Sequence, residues 1–163
     1  MLYSRLLLQI LIGKELIIGG NSFMNVSDVA KYIINYPDIY VDNLKLQKLL
    51  FYSQAVSLVI NKKELFEEPI EAWDYGPVVR SIYNSYKNID QQIPKTNEVI
   101  DIDIKDVEMI DIALGYYGDM TGPQLITLTH SEKPWKDAYS KGRNTVITTA
   151  AIKSFYSKIY HYA

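Results

Sequence analysis

Residues 43–60 read NLKLQKLLFYSQAVSLVI. The apolar residues of this stretch cover more than one face of a helix, and this pattern predicts a helix that is buried on most of its surface. Asp42 stands directly before the stretch, where its side chain can cap the first helical turn. We therefore expect a central helix from Asn43 to about Ile60.

The patterns on either side of this helix are also mostly helical. Ser27 can cap a helix that Pro37 stops, and residues 121–124, TGPQ, have the spacing of a capping box. Apolar residues at helical spacing predict four more helices. These begin at Gly76-Pro77, at Asp106, near Ser131 to Pro134 and at Thr149.

Two stretches alternate between apolar and polar residues. Residues 70–73 do so with period two, which predicts a short strand. Residues 100–104 alternate in the same way and predict either a second short strand or an extended lead into a helix. The predicted fold class is mainly α, a single compact bundle of six or seven helices with one or two short β-strands.

Composition restricts the function as well as the fold. The chain has 163 residues, the length of one ordinary domain, and a net charge of −2, which disfavours a general role in coating nucleic acid. Cysteine is absent, which excludes disulfides, thiol nucleophiles and thiolate metal sites and fits a reducing cytoplasm. The 14 tyrosines supply surface that is apolar and also forms hydrogen bonds. These features favour a cytoplasmic protein that contacts other proteins.

The first 23 residues do not match the rest of the chain. Their apolar run from Leu6 to Ile12 is interrupted by Lys14 and Glu15 and is shorter than the roughly 20 residues that span a bilayer. No signal-peptide cleavage site follows either, so both export and a membrane anchor are disfavoured. Two interpretations are open. Residues 1–23 are upstream sequence read in frame before an initiator at Met24, or they are an N-terminal extension that packs on a helical domain of residues 24–163.

A chain that begins at Met24 is expected to unfold in the same cooperative thermal transition as the full chain, because no capped or patterned element precedes that residue. Thermal denaturation followed by circular dichroism measures the difference. If deletion of residues 1–23 lowers the midpoint by more than about 5 °C, on the order of 1 kcal/mol for this size, the segment is part of the fold.

Few residues carry an obvious chemistry. The chain has no nucleotide-binding glycine loop, no zinc-protease motif and no EF-hand loop. A two-histidine metal site would need both His130 and His161, and His161 lies near the chain end, where fraying is expected. We predict no metal, no cofactor and no catalytic residues. The enzyme alternative uses His130 with Asp74 or Glu71 as an acid–base pair.

Charge is unevenly distributed along the chain. Acidic side chains cluster between Glu98 and Asp111, which is typical of a solvated helix N-terminus, or else of a docking surface for a basic partner. Residues 131–163 contain six bases and two acids, a pattern of a solvated helix face or of a surface that contacts RNA. A nucleic-acid-binding prophage regulator is therefore a further alternative.

Three segments together carry a family resemblance. They are residues 46–55, LQKLLFYSQA, residues 68–79, EPIEAWDYGPVV, and residues 128–135, LTHSEKPW. In order and spacing they resemble the motifs of the Panacea domain, the SocA-like antitoxin family that also includes phage-associated proteins. The resemblance covers about residues 25–160. At the two positions after Gln54, where the family often has Gly and Trp, this chain has Ala55 and Val56. No role for an aromatic side chain is therefore carried over to these positions.

The resemblance implies a mainly helical antitoxin that neutralises a co-encoded toxin by direct binding. The implied partner is therefore a cognate toxin protein from an adjacent gene. Neither a membrane nor nucleic acid is implied as a partner, and self-association into a homo-oligomer is left open. No helix-turn-helix extension lies outside the domain, so the resemblance does not imply that this chain regulates its own gene.

The motif residues divide into two groups. The first is structural. Gly76, between Tyr75 and Pro77, can adopt a backbone angle closed to other residues and so let the strand turn sharply into a helix. Trp73 and Trp135 are large enough to fill the core. The second group consists of polar and tyrosine side chains that we predict to contact the partner. These are Gln47, Asp74, Tyr75, Tyr83, Tyr86 and His130. If the polar residues converge, they form a buried network or the floor of a binding groove.

Overall fold

Residues 23–160 are described by a computed structural model of the chain, and the structural statements that follow concern these residues. Residues 1–22, on which the two interpretations of the N-terminus depend, lie outside them, as does His161. The helices are α1 Val26–Asn35, α2 Asn43–Val56, α3 Arg80–Tyr86, α4 Ile104–Tyr117, α5 Gly122–Ser131, α6 Lys133–Ser140 and α7 Thr149–Tyr156. The strands β1 Glu71–Trp73, β2 Gly76–Val78 and β3 Thr145–Val146 form an antiparallel sheet in the order β2-β1-β3. The predicted mainly α fold with few short strands is confirmed.

Helix α2 is the centre of the core, as its apolar pattern predicts. The Asp42 side chain accepts a hydrogen bond from the Lys45 backbone N–H at 2.8 Å and caps the helix. All but one of its residues are buried, and it packs against α1, α4, α5 and α7. The helix continues as a π-helical turn, Ser57–Asn61, and ends where Lys62 adopts a left-handed conformation with φ of 61°.

The predicted helix start at Gly76-Pro77 is wrong. Gly76–Val78 is strand β2, and α3 begins only at Arg80. Proline suits a first helical turn, but here tertiary contacts decide the conformation. Gly76 pairs with Trp73 across the hairpin, and the Val79 backbone N–H donates to the Gln47 side chain at 2.9 Å. These bonds hold the backbone extended through Val79.

One predicted helix cap needs correction, and one pair of alternatives is decided. The cap of α1 is Asn25 rather than Ser27, since the Asn25 side chain accepts a hydrogen bond from the Ser27 backbone N–H at 2.8 Å. Of the two alternatives for residues 100–104, the extended lead into a helix is the one observed. Asp103 caps α4 by accepting from the Lys105 N–H at 2.8 Å. The third strand instead comes from Thr145–Val146, which the sequence pattern did not indicate.

The α5–α6 junction places the third motif against the sheet. Thr121 and Gln124 form the predicted capping box at the start of α5. Glu132 is both the C-cap residue of α5 and the N-cap residue of α6, and its extended backbone changes the chain direction between the two helices. None of the helices in residues 23–160 combines the length and the apolar character needed to cross a membrane.

Candidate functional site

The second motif forms a tight hairpin whose tip is exposed. Trp73 pairs with Gly76, so Asp74 and Tyr75 alone make up the hairpin turn. Gly76 has φ of +103°, and a Cβ atom at this position would lie 2.6 Å from Cε of Lys48 and 2.9 Å from Oγ1 of Thr129. Glycine therefore allows the hairpin to rest directly on α2 and α5. Tyr75 projects from the tip with 69% of its surface exposed.

The third motif supplies an aromatic stack beside this turn. The rings of His130 and Trp135 lie 3.9 Å apart at 19°, and those of Trp135 and Tyr139 lie 4.6 Å apart at 17°. Trp135 is 9% exposed and belongs to the core, and its indole N–H donates to the Trp73 carbonyl oxygen at 2.9 Å. The aromatic stack is thus fixed to the backbone of the hairpin.

The carboxylate of Asp74 connects the hairpin turn to the end of α6 and to the segment that follows it. Its Oδ1 accepts a hydrogen bond from the Tyr139 hydroxyl at 2.8 Å, and its Oδ2 pairs with the Arg143 guanidinium at 3.0 Å. Both side chains of this ion pair remain exposed, so water screens their attraction. The arrangement orients the turn while leaving a charged pair at the surface.

Lys48 from the first motif lies beneath the hairpin. Its side chain is fully buried, and Nζ donates to the Pro77 carbonyl oxygen at 3.3 Å. Burial lowers the pKa of Lys48 to about 7, against an opposing effect of Asp42. Burial also lowers the pKa of His130, with a further decrease from the charge of Lys48. Nε2 of His130 is buried and has no hydrogen-bond partner among the described residues.

Gln47 belongs to a separate buried network. Its side-chain oxygen accepts from the Val79 backbone N–H, and its amide donates to Oδ1 of Asn43 at 2.9 Å. The Asn43 amide in turn donates to the Tyr83 carbonyl oxygen at 3.1 Å. Gln47 is only 1% exposed. In this structure it supports the end of the hairpin and the start of α3 from below, and its surface is not open to a partner.

The first tryptophan does not seal the core as the sequence suggested. Trp73 is only partly buried and packs against Tyr83, with ring centroids 5.0 Å apart, and under the guanidinium of Arg80, also at 5.0 Å. Its indole N–H donates to Glu71 at 2.7 Å. Although burial alone would raise the pKa of Glu71, hydrogen bonds from Arg80 and Trp73 lower it.

The structure brings together some of the predicted partner-binding residues and separates others. Asp74, Tyr75 and His130 lie at the hairpin and its aromatic stack. Tyr83 is half-buried and packs against the Trp73 ring on one face of the hairpin. Tyr86 is half-buried at the end of α3, and burial raises its pKa. Whether these residues contact a partner stays a prediction. Four other residues that shape the site were not identified from the sequence pattern. These are Lys48, Glu132, Tyr139 and Arg143.

The acid–base pair of the enzyme alternative is not formed in residues 23–160. No hydrogen bond joins the His130 ring to a carboxylate there, since Asp74 is occupied by Tyr139 and Arg143, and Glu71 by Trp73 and Arg80. Burial and the charge of Lys48 lower the pKa of His130, and its interaction with the backbone of Asp74 opposes this. In the same part of the chain, no three His, Asp or Glu side chains are grouped so that they could hold a metal ion.

Glu132 lies at the centre of a buried tyrosine cluster behind the aromatic stack. Its carboxylate accepts hydrogen bonds from the hydroxyls of Tyr52, at 2.9 Å, and Tyr156. Tyr117 stacks on Tyr52 at 3.8 Å and shares a hydroxyl hydrogen bond of 2.8 Å with Tyr160. Burial raises the pKa of Glu132, and the two phenol hydrogen bonds oppose this. The cluster connects the α5–α6 junction to α2 and α7.

Comparison with known proteins places all three motif segments in one family. The sequence matches the family described as Antitoxin SocA-like, Panacea domain, over residues 46–136. It is also 32% identical over 122 residues to antitoxin SocA of Caulobacter vibrioides (strain NA1000 / CB15N), an alignment that covers 66% of this chain and 64% of the relative. The chain therefore spans less than two thirds of that relative's length. No solved structure matches the chain. From the family match, which covers more than half of its length, the chain belongs to the SocA-like antitoxin family with a Panacea domain.

Proposed function

We propose that this protein is the antitoxin of a toxin–antitoxin pair and that it neutralises a co-encoded toxin in the cytoplasm by direct binding, without catalysis. Membership of the SocA-like antitoxin family supports the antitoxin role. The observation that carries the binding mode is the exposure of Tyr75 at the tip of a turn that belongs to the second motif segment and is held by residues of the other two. The mode of neutralisation and the binding surface are proposals.

The hairpin turn has the properties of an interface centre. Tyr75 offers a large amphipathic ring, and tyrosine is among the residues that most often contribute strongly to binding energy. Its backbone is already fixed by the contacts of Asp74 and Gly76, so little conformational freedom is lost on binding. The exposed ion pair of Asp74 and Arg143 supplies a polar rim.

The turn alone is too small for a stable complex. An interface of standard size buries about 800 Å² on each partner. The proposed surface therefore extends from Tyr75 to half-buried neighbours, with Tyr139 on one side and Tyr83 and Tyr86 along α3 on the other. Because the chain has a net charge of only −2, the complex is expected to persist in moderate salt.

Replacing Tyr75 with alanine is expected to weaken toxin binding at least tenfold, about 1.4 kcal/mol, with the thermal midpoint almost unchanged, because the side chain is mostly exposed. Co-expression with the neighbouring gene product should show growth rescue by the wild type and reduced rescue by Y75A. Calorimetric titration of the purified proteins measures the change in affinity.

Tyr40→Ala is the matched control. Tyr40 is 51% exposed and lies between α1 and α2, outside the three motif segments. Its loss should leave both rescue and affinity at the wild-type level. If Y75A also binds like the wild type, the toxin docks elsewhere on the protein. If the neighbouring protein is harmless when expressed alone and forms no complex on size-exclusion chromatography, the antitoxin role is wrong and the enzyme alternative moves to first place.

A further inference from the structure

The buried amine of Lys48 is poorly matched to a positive charge. An ammonium group has three N–H donors and loses its hydration when it is buried. Within residues 23–160, Lys48 forms no ion pair, and its hydrogen bond is the 3.3 Å contact to the Pro77 carbonyl oxygen. This bond comes from the hairpin itself. A charged amine at this position would therefore destabilise the packing of the hairpin against α2 and α5.

The groups that face Lys48 do not neutralise it. Asp42, at the start of α2, favours the charged form but does not contact the amine. From α5, His130 would add a second positive charge if it were protonated. From the hairpin, both carboxylate oxygens of Asp74 are taken by Tyr139 and Arg143. Opening the hairpin would admit water to the amine and allow it to hold a proton at low cost.

We propose that lifting of the hairpin from its seat on α2 and α5 is coupled to the uptake of one proton by Lys48. The coupling is a property of the fold and can be tested without a toxin. Its consequence for toxin binding, a turn that is better ordered at higher pH, rests on the proposed function of the same surface.

The direction of the pH dependence follows from linkage. Burial lowers the pKa of Lys48 in the closed state to about 7, whereas the ordinary value is 10.5. Between these values the open state binds the proton and the closed state does not. The closed hairpin is therefore favoured as pH rises through this window, and opening is favoured as pH falls, by about tenfold per pH unit for one proton.

Hydrogen exchange at the Trp135 indole N–H reports on the opening. This N–H donates to the Trp73 carbonyl oxygen, so exchange requires the hairpin to separate from α6. The opening constant is the observed exchange rate divided by the intrinsic rate. In the wild type it should fall by about tenfold per unit from roughly pH 7.5 to 9.5. In Lys48→Met, which keeps the length of the side chain and removes the amine, it should be independent of pH.

Lys45→Met is the matched control. Lys45 is also buried on α2, and burial lowers its pKa, but its amine donates to the Gly118 carbonyl oxygen at 2.6 Å, away from the hairpin. This variant should keep the wild-type pH dependence at Trp135. Equal slopes in the wild type and K48M would overturn the proposal. If K48M does not fold, NMR titration of the Lys48 side chain in the wild type decides, and a pKa near 10.5 would overturn it.

Discussion

Replacing Glu132 with alanine is expected to lower the free energy of unfolding by about 3 to 5 kcal/mol and the thermal midpoint by roughly 10 °C. The carboxylate is buried and accepts hydrogen bonds from the hydroxyls of Tyr52 on α2 and Tyr156 on α7. Its removal leaves two phenol donors without an acceptor, at about 1 to 3 kcal/mol each. Urea denaturation followed by fluorescence and circular dichroism measures the loss.

Glu132→Gln separates the loss of the acceptor from the loss of charge. It keeps the shape and one carbonyl oxygen, so it should cost less than half as much as the alanine variant. A loss below about 1 kcal/mol in Glu132→Ala would mean that the tyrosine hydroxyls find other partners.

Glu132 is also expected to make the free energy of unfolding depend on pH. Burial raises the folded-state pKa of Glu132 above its ordinary value of 4.5, so the folded protein binds this proton more tightly than the unfolded chain. The stability contributed by that difference is complete below about pH 4.5 and is lost as pH rises through the folded pKa. Glu132→Gln should lack this component, and measurements of unfolding free energy at several pH values reveal it as a flatter profile.

Helix α2 shows how much of the fold a local pattern can predict. Its buried apolar residues, its cap at Asp42 and its approximate length could all be predicted from the sequence. Helical periodicity and capping depend on residues within a few positions of each other. The same is true of the capping box of α5. Strand β2 shows the limit of this reasoning. Gly76-Pro77 has the local features of a helix start, but pairing with β1 and the bond from Val79 to Gln47 outweigh them.

The candidate site was predictable as a set of motif residues but not as a geometry. Asp74 and His130 stood out as polar residues within apolar motifs, and the structure places both at the hairpin. Asp74 contacts Tyr139 and Arg143, and His130 is influenced by the charge of Lys48. These interactions join segments far apart in the chain, and no local spacing encodes them. Gln47, like Asp74, is a polar residue within an apolar motif, yet it lies in the buried hydrogen-bond network beneath the hairpin. The sequence does not distinguish these two environments, because both are flanked by apolar residues.

Replacing Gly76 with alanine is expected to destabilise the protein by about 3 to 5 kcal/mol. Two costs combine at this position. The positive φ of +103° disfavours any side chain, and the new Cβ would lie 2.6 Å from Cε of Lys48 and 2.9 Å from Oγ1 of Thr129. The hairpin must then move off α2 and α5, which also breaks the bond from the Trp135 indole to Trp73. Thermal and urea denaturation measure the stability, and the indole resonance of Trp135 reports the displacement.

Gly142→Ala isolates the backbone part of this effect, so the difference between the two variants gives the steric part. Gly142 also has a positive φ, of +143°, but the nearest atom to a new Cβ, Oγ1 of Thr145, lies 3.6 Å away, at ordinary contact distance. This variant should therefore show only the backbone cost, about 1 to 3 kcal/mol, with the Trp135 resonance in place. Equal losses in the two variants would mean that the Lys48 side chain moves aside. The seat of the hairpin would then be deformable, and the close approach at Gly76 would not be what holds Tyr75 in position.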